Sequence, residues 1–176
     1  MAIAHLERGD VAAAERVADD WTEPNWDFMW TVAVQMKAEV GFGLGRADIC
    51  REARVALEPY RGRLGVIASG TLTWGLVSTS LGQAALGEGD LGAAEELFRE
   101  AIADADRAGL TYSSALARRL LVTVLARRDQ VDTNELRRLT GEVLDLAATY
   151  GYDGEARRVR ELARTWDTTS PRGPAR

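Results

Sequence analysis

Few residues in this chain could do chemistry. His5 is the only histidine and Cys50 the only cysteine among 176 residues. A nucleophile–base pair needs a third group to orient the base, and neither residue stands on a strained turn or beside an orienting asparagine. One histidine and one cysteine also fall short of a metal-ligand set. The acidic pairs Asp19-Asp20, Glu95-Glu96 and Asp104 with Asp106 fall on helix surfaces beside Arg99 and Arg107. General acid–base work needs two carboxylates facing one pocket in different environments, so these read as solvated charged faces. Gly41-Phe42-Gly43-Leu44-Gly45 imitates a glycine-rich phosphate loop but follows a helix, without the βαβ context of a dinucleotide site. The pairs Arg118-Arg119, Arg127-Arg128, Arg137-Arg138 and Arg157-Arg158 are interleaved with acids and spread over different faces. The expectation is a non-catalytic chain with no metal and no cofactor.

Composition narrows the class. A hydrophobic content of 46% over this length suits one domain with a sizeable core. A net charge of −5 argues against a dedicated nucleic-acid surface, which needs a concentrated basic patch. A lone cysteine cannot form an internal disulfide and fits a reducing cytoplasm. Leu64 to Gly87 holds no charged residue, but its glycines, serines and threonines keep its hydropathy modest, so a buried helix is expected there instead of a membrane span.

The elements that would position these residues are most legible between 75 and 108. Leu81-Gly82 falls within a first helix, Gly89-Asp90 at a tight turn, and Ala94, Phe98 and Ala101 on one face of a second helix. This is the signature of a tetratricopeptide-type helical hairpin. Gly82 and Ala85 thin the first helix, Ala94 and Ala101 thin the second, and Phe98 fills the gap between them. Asp90 is placed to cap the second helix. Related turns recur at Gly9-Asp10, Gly45-Arg46 and Asp129–Asp132, about 36 to 44 residues apart, the period of stacked helix pairs.

The helices expected are Ala2–Arg8, Val11–Trp21, Trp26–Leu44, Ala47–Leu57, Thr71–Gly87, Leu91–Ala108, Thr111–Arg127, Thr133–Tyr150 and Gly154–Trp166. Pro59 ends the fourth, and residues 60–70 form a long link. The fold expected is an all-α, right-handed α-solenoid of about four such hairpins over 1–166, with a disordered tail over 167–176. Residues 1–6 read as the last turns of a helix whose start is missing, as in a piece of a longer chain.

Leu57-Glu58-Pro59-Tyr60-Arg61-Gly62-Arg63, its β-branched run to Ile67, the uncharged helix and the repeat that follows, with Ala115–Arg118 and Leu120–Arg127, carry a further likeness. Over about 45–127 the chain resembles the C-terminal repeat region of actinobacterial regulators that join an ATPase to a LuxR-type DNA-binding domain or a nucleotide cyclase. It departs from them in lacking a phosphate-binding loop, a helix-turn-helix and a cyclase metal motif. The resemblance implies a cytoplasmic sensor or interaction arm in transcription regulation or signal transduction, without the ATPase or the output activity.

In stacked hairpins the first helices line a groove, which places Trp30 and Val34, then Leu76, Thr79 and Gln83, toward a protein or peptide partner, a neighbouring domain of a longer parent chain, or a second copy. Direct contact with nucleic acid or membrane is not expected. Trp21, Trp26, Phe28, Trp30 and Trp74 offer anchors of the kind interfaces favour. The alternative is a small-molecule sensor whose uncharged helix, thinned by glycines, lines an apolar pocket.

Overall fold

A computed structural model describes residues 2–22, 24, 26–67, 70 and 72–167. Among them the chain is mostly helical, with one two-stranded sheet. The helices are α1 (Ala2–Glu7), α2 (Val11–Asp19), α3 (Trp30–Leu44), α4 (Ala47–Leu57), α5 (Val77–Glu88), α6 (Leu91–Ala108), α7 (Thr111–Leu125), α8 (Thr133–Tyr150) and α9 (Asp153–Asp167). The strands are β1 (Leu64–Ile67) and β2 (Leu72–Leu76), and a single 3₁₀ turn spans Glu58–Tyr60. Residues 168–176, nearly all of the expected tail, lie outside the described residues; Asp167 closes α9.

The chain gathers into two compact units, residues 1–101 and 102–176. In the first, α5 packs against α3 and α4. Every residue from Val77 to Leu86 is buried, which explains why the segment carries no charge. A second cluster joins Ala2, Ala18, Val40 and Ile49, and Leu6 lies directly over Gly43. In the second unit, α7, α8 and α9 pack together around Leu120, Leu136, Leu139, Val143 and Val159.

The α5–α6 hairpin takes the expected form. Gly89 has φ +84°, and the N–H groups of Gly89 and Asp90 donate back to the carbonyls of Leu86 and Ala85. That left-handed closure of a helix favours glycine. The Asp90 carboxylate then accepts from the Ala93 N–H at 3.0 Å and starts α6. Asp10 and Asp132 do the same for α2 and α8. The Phe98 ring is fully buried against Gly82, where a Cβ would lie 2.5–2.9 Å from three ring carbons.

Two helix starts differ from expectation by more than two residues. The helix placed at Trp26 begins at Trp30, because the Asp27 carboxylate accepts from the Met29 N–H at 2.8 Å and holds a local turn in place of helix. The helix placed at Thr71 begins at Val77, and the stretch before it is antiparallel β-hairpin, pairing Leu64 with Leu76 and Ile67 with Leu72. The β-formers Val66, Ile67, Thr73 and Trp74, with helix-weakening Gly65 and Gly75, favour strands, and Gly70 between them has φ +85°.

Gly82→Leu should overpack Phe98 and lower stability by about 1–3 kcal/mol, with Gly82→Leu/Phe98→Ala regaining part of it. Chemical denaturation of the single and double variants reads this directly.

Candidate functional site

The link after α4 is clamped by polar contacts. The Arg61 guanidinium donates to Glu96 and Glu100 of α6, each at 2.7 Å. Ser78 at the start of α5 donates to Glu100 at 2.7 Å and accepts from the Gly62 N–H at 3.2 Å. Arg61 holds the Glu100 carboxyl below the ordinary glutamate range, against the opposing effect of burial, with Ser78 assisting. The Arg63 carbonyl accepts from the Val77 N–H at 2.9 Å. On the other side, the fully buried Gln35 amide of α3 donates to the Gly75 carbonyl at 3.4 Å and to the Ser80 hydroxyl at 3.2 Å. Gly65 lies so close to that amide that a Cβ there would collide with it.

This clamping leaves an aromatic ledge on the first unit. The Trp26 and Trp30 rings are 4.4 Å apart, Trp30 is 5.5 Å from Tyr60, and Trp26 is 6.4 Å from Tyr60. The Arg63 guanidinium lies 5.9 Å from the centre of the Tyr60 ring. Trp26 and Phe28 are 74% and 68% exposed. Leu64, Val66, Leu72 and Trp74 of the hairpin are also exposed. Large apolar side chains held in water at this density are what interaction surfaces use.

The expected groove positions have other surroundings. Trp30 keeps partial exposure and belongs to the ledge. Val34, Leu76, Thr79 and Gln83 are buried, Gln83 at 8% exposure, and Leu76 ends β2 instead of lying in a helix. Sequence periodicity put them on one helical side but could not show the hairpin folded ahead of α5. The ledge was readable only as a local excess of tryptophan; the parts played by Tyr60 and Arg63 depend on the turn that carries them.

Glycine thinning of α5 leaves no room along Gly82 and Gly87. Phe98 fills the first and the Cys50 side chain abuts the second. Cys50 is fully buried, and burial, then Glu88 and Asp48, pushes its thiol up to about 11. His5 pairs with Asp10 at 3.7 Å, and no hydrogen bond joins it to Cys50. Arg118 bridges Asp106 and Glu142, and Arg119 reaches the buried Glu155, so these arginines serve the second unit's packing. A cleft of about 210 Å³ in the first unit is walled by paired charges, Arg46 with Asp19 and Asp48, and Lys37 with Glu52. Among the described residues, no helix is long and apolar enough to cross a membrane.

Cys50 should resist Ellman's reagent at pH 7 in the folded protein and react fully in denaturant; fast native labelling would contradict its packing. The Glu100 contact has a defined pH signature. Its folded pKa lies below the unfolded value, so its stabilisation is present above the ordinary glutamate range and is lost as pH falls from there through the lower folded value. Arg61→Gln should therefore be less stable at pH 7 and lose less on acidification than the parent, measured by urea unfolding from pH 7 to 3. No family model, curated protein or solved structure matches this chain.

Proposed function

We propose that the chain is a non-catalytic protein-interaction module built from tetratricopeptide-like hairpins stacked as a right-handed α-solenoid. Its proposed setting is the regulatory arm of a larger cytoplasmic regulator of transcription or signalling, of the LuxR-type or cyclase-linked ATPase kind. The Gly-Asp turns and the Gly82–Phe98 approach support the hairpin reading. The resemblance of the Pro59–Arg63 link supports the setting. The function rests on one observation above the others: the mutually packed rings of Trp26, Trp30 and Tyr60, of which Trp26 is exposed and the other two half-buried, with exposed Phe28 two residues along the chain from Trp26. Tryptophan, tyrosine and arginine dominate binding energy at interfaces. The partner would engage this ledge first, and of the expected groove residues Trp30 is the one it would touch.

A photo-crosslinking amino acid at position 28, in cells that make the full native polypeptide, should give a defined adduct with another protein or another domain of the same chain. The control is position 55, where Val55 is 73% exposed on α4. No adduct at 28, or the same adducts from 55, would contradict an interaction role for the ledge.

A further inference from the structure

The ledge carries both signs of charge. Exposed Asp27 follows Trp26, and exposed Glu58 shares the 3₁₀ turn of Tyr60, against the Arg63 guanidinium at the Tyr60 ring. Charge alone therefore chooses no occupant, and the rings are the more selective feature. Trp26, Trp30 and Tyr60 meet at 49–54° instead of stacking flat, and Trp26 keeps most of its surface in water. Proline rings lie on such faces, and segments of the P-x-x-P pattern dock on aromatic-lined surfaces in the polyproline II form. In that form residues three apart share one edge, about 9 Å from one another. The ring centres here, up to 6.4 Å apart, make a ledge of that order. The chain contains one such segment. Of its four prolines, Pro24 and Pro59 stand apart, whereas Pro171-Arg172-Gly173-Pro174 has the P-x-x-P spacing. It falls in residues 168–176, outside the described residues, in a stretch with Arg172 and Arg176 and no acid.

We infer that the ledge formed by Trp26, Trp30 and Tyr60 binds the Pro171–Pro174 segment of a second copy of this chain. This rests on the interaction reading above and names the partner. Each chain carries one ledge and one segment, so two copies can serve each other in a closed, symmetric pair. The prolines lie on the rings, and Arg172 and Arg176 have Asp27 and Glu58 at the rim to pair with. Little freedom is lost on binding. Proline fixes its own φ, and a segment already near its bound form gives up less entropy. The rings are likewise held in advance. Tyr60 stands on the 3₁₀ turn beside Arg61, which Glu96 and Glu100 hold, and Trp30 stands on the first turn of α3.

The test reads self-association of the full chain by sedimentation, and binding of a labelled synthetic peptide of residues 167–176 by fluorescence anisotropy. The receptor for the peptide is the full chain carrying Pro171→Ala and Pro174→Ala, which cannot offer its own segment. Circular dichroism checks that each variant is folded. The parent should form dimers as its concentration rises. The double proline variant and Trp26→Ala should each weaken the dimer about tenfold or more. The peptide should bind the receptor and lose about tenfold when both its prolines are alanine, or when Trp26→Ala is added to the receptor. Arg172→Ala with Arg176→Ala in the peptide should weaken it less. A parent that stays monomeric, a dimer indifferent to the prolines, or a peptide that binds through its arginines alone would overturn the assignment. The interaction reading would then stand if the crosslinker at position 28 captures a different protein in the cell, and would fall with the assignment if it captures nothing.

Discussion

The first unit depends on the close burial of α5. Its charge-free run from Val77 to Leu86 is enclosed on all sides, and that is achieved only because small residues let neighbours approach. Phe98 lies against Gly82, Cys50 against Gly87, and Cys50 in turn against Gly41 of α3. Each contact replaces a side chain with a neighbour's bulk, so the three helices α3, α4 and α5 constrain one another. Interiors packed at crystal-like density tolerate neither a gap nor an extra methyl at such points.

The polar residues of α5 are part of the same constraint. Buried hydroxyls cost free energy unless they are bonded. Ser78 and Ser80 meet this by binding Glu100, Gly62 and Gln35, and in doing so tie down the link and the hairpin ahead of the helix. Arg61 completes the clamp from outside. The backbone of 58–66 is thus held from two sides, and Tyr60 on its 3₁₀ turn is the residue by which this segment meets Trp30.

Much of this was legible in the sequence, and the failures are physical. Helices α6 and α8 fall where the pattern put them, because an aspartate cap and an unbroken apolar stripe mark them. The turn at Gly89-Asp90 and the Gly82–Phe98 contact were readable for the same reason. The hairpin was not read, since an uncharged run of small and β-branched residues suits a buried helix and a covered strand alike. That misreading put Leu76 on a helix face, where the structure has it end β2. It also put Thr79 and Gln83 on a groove, where the structure buries them. Tyr60 and Arg63 were visible as a motif, but only the turn brings Tyr60 to Trp30.

The link and hairpin form one platform anchored to α5 through Ser78, Ser80 and Gln35. Hydrogen–deuterium exchange measured over β1, β2 and the 3₁₀ turn reads this anchoring at the backbone. The β1 and β2 amides should be protected in the native protein, and Gln35→Ala and Arg61→Ala should each release them while α6 stays protected. Exchange of β1 and β2 at the rate of an unstructured chain in the unmodified protein would show that the platform is not held.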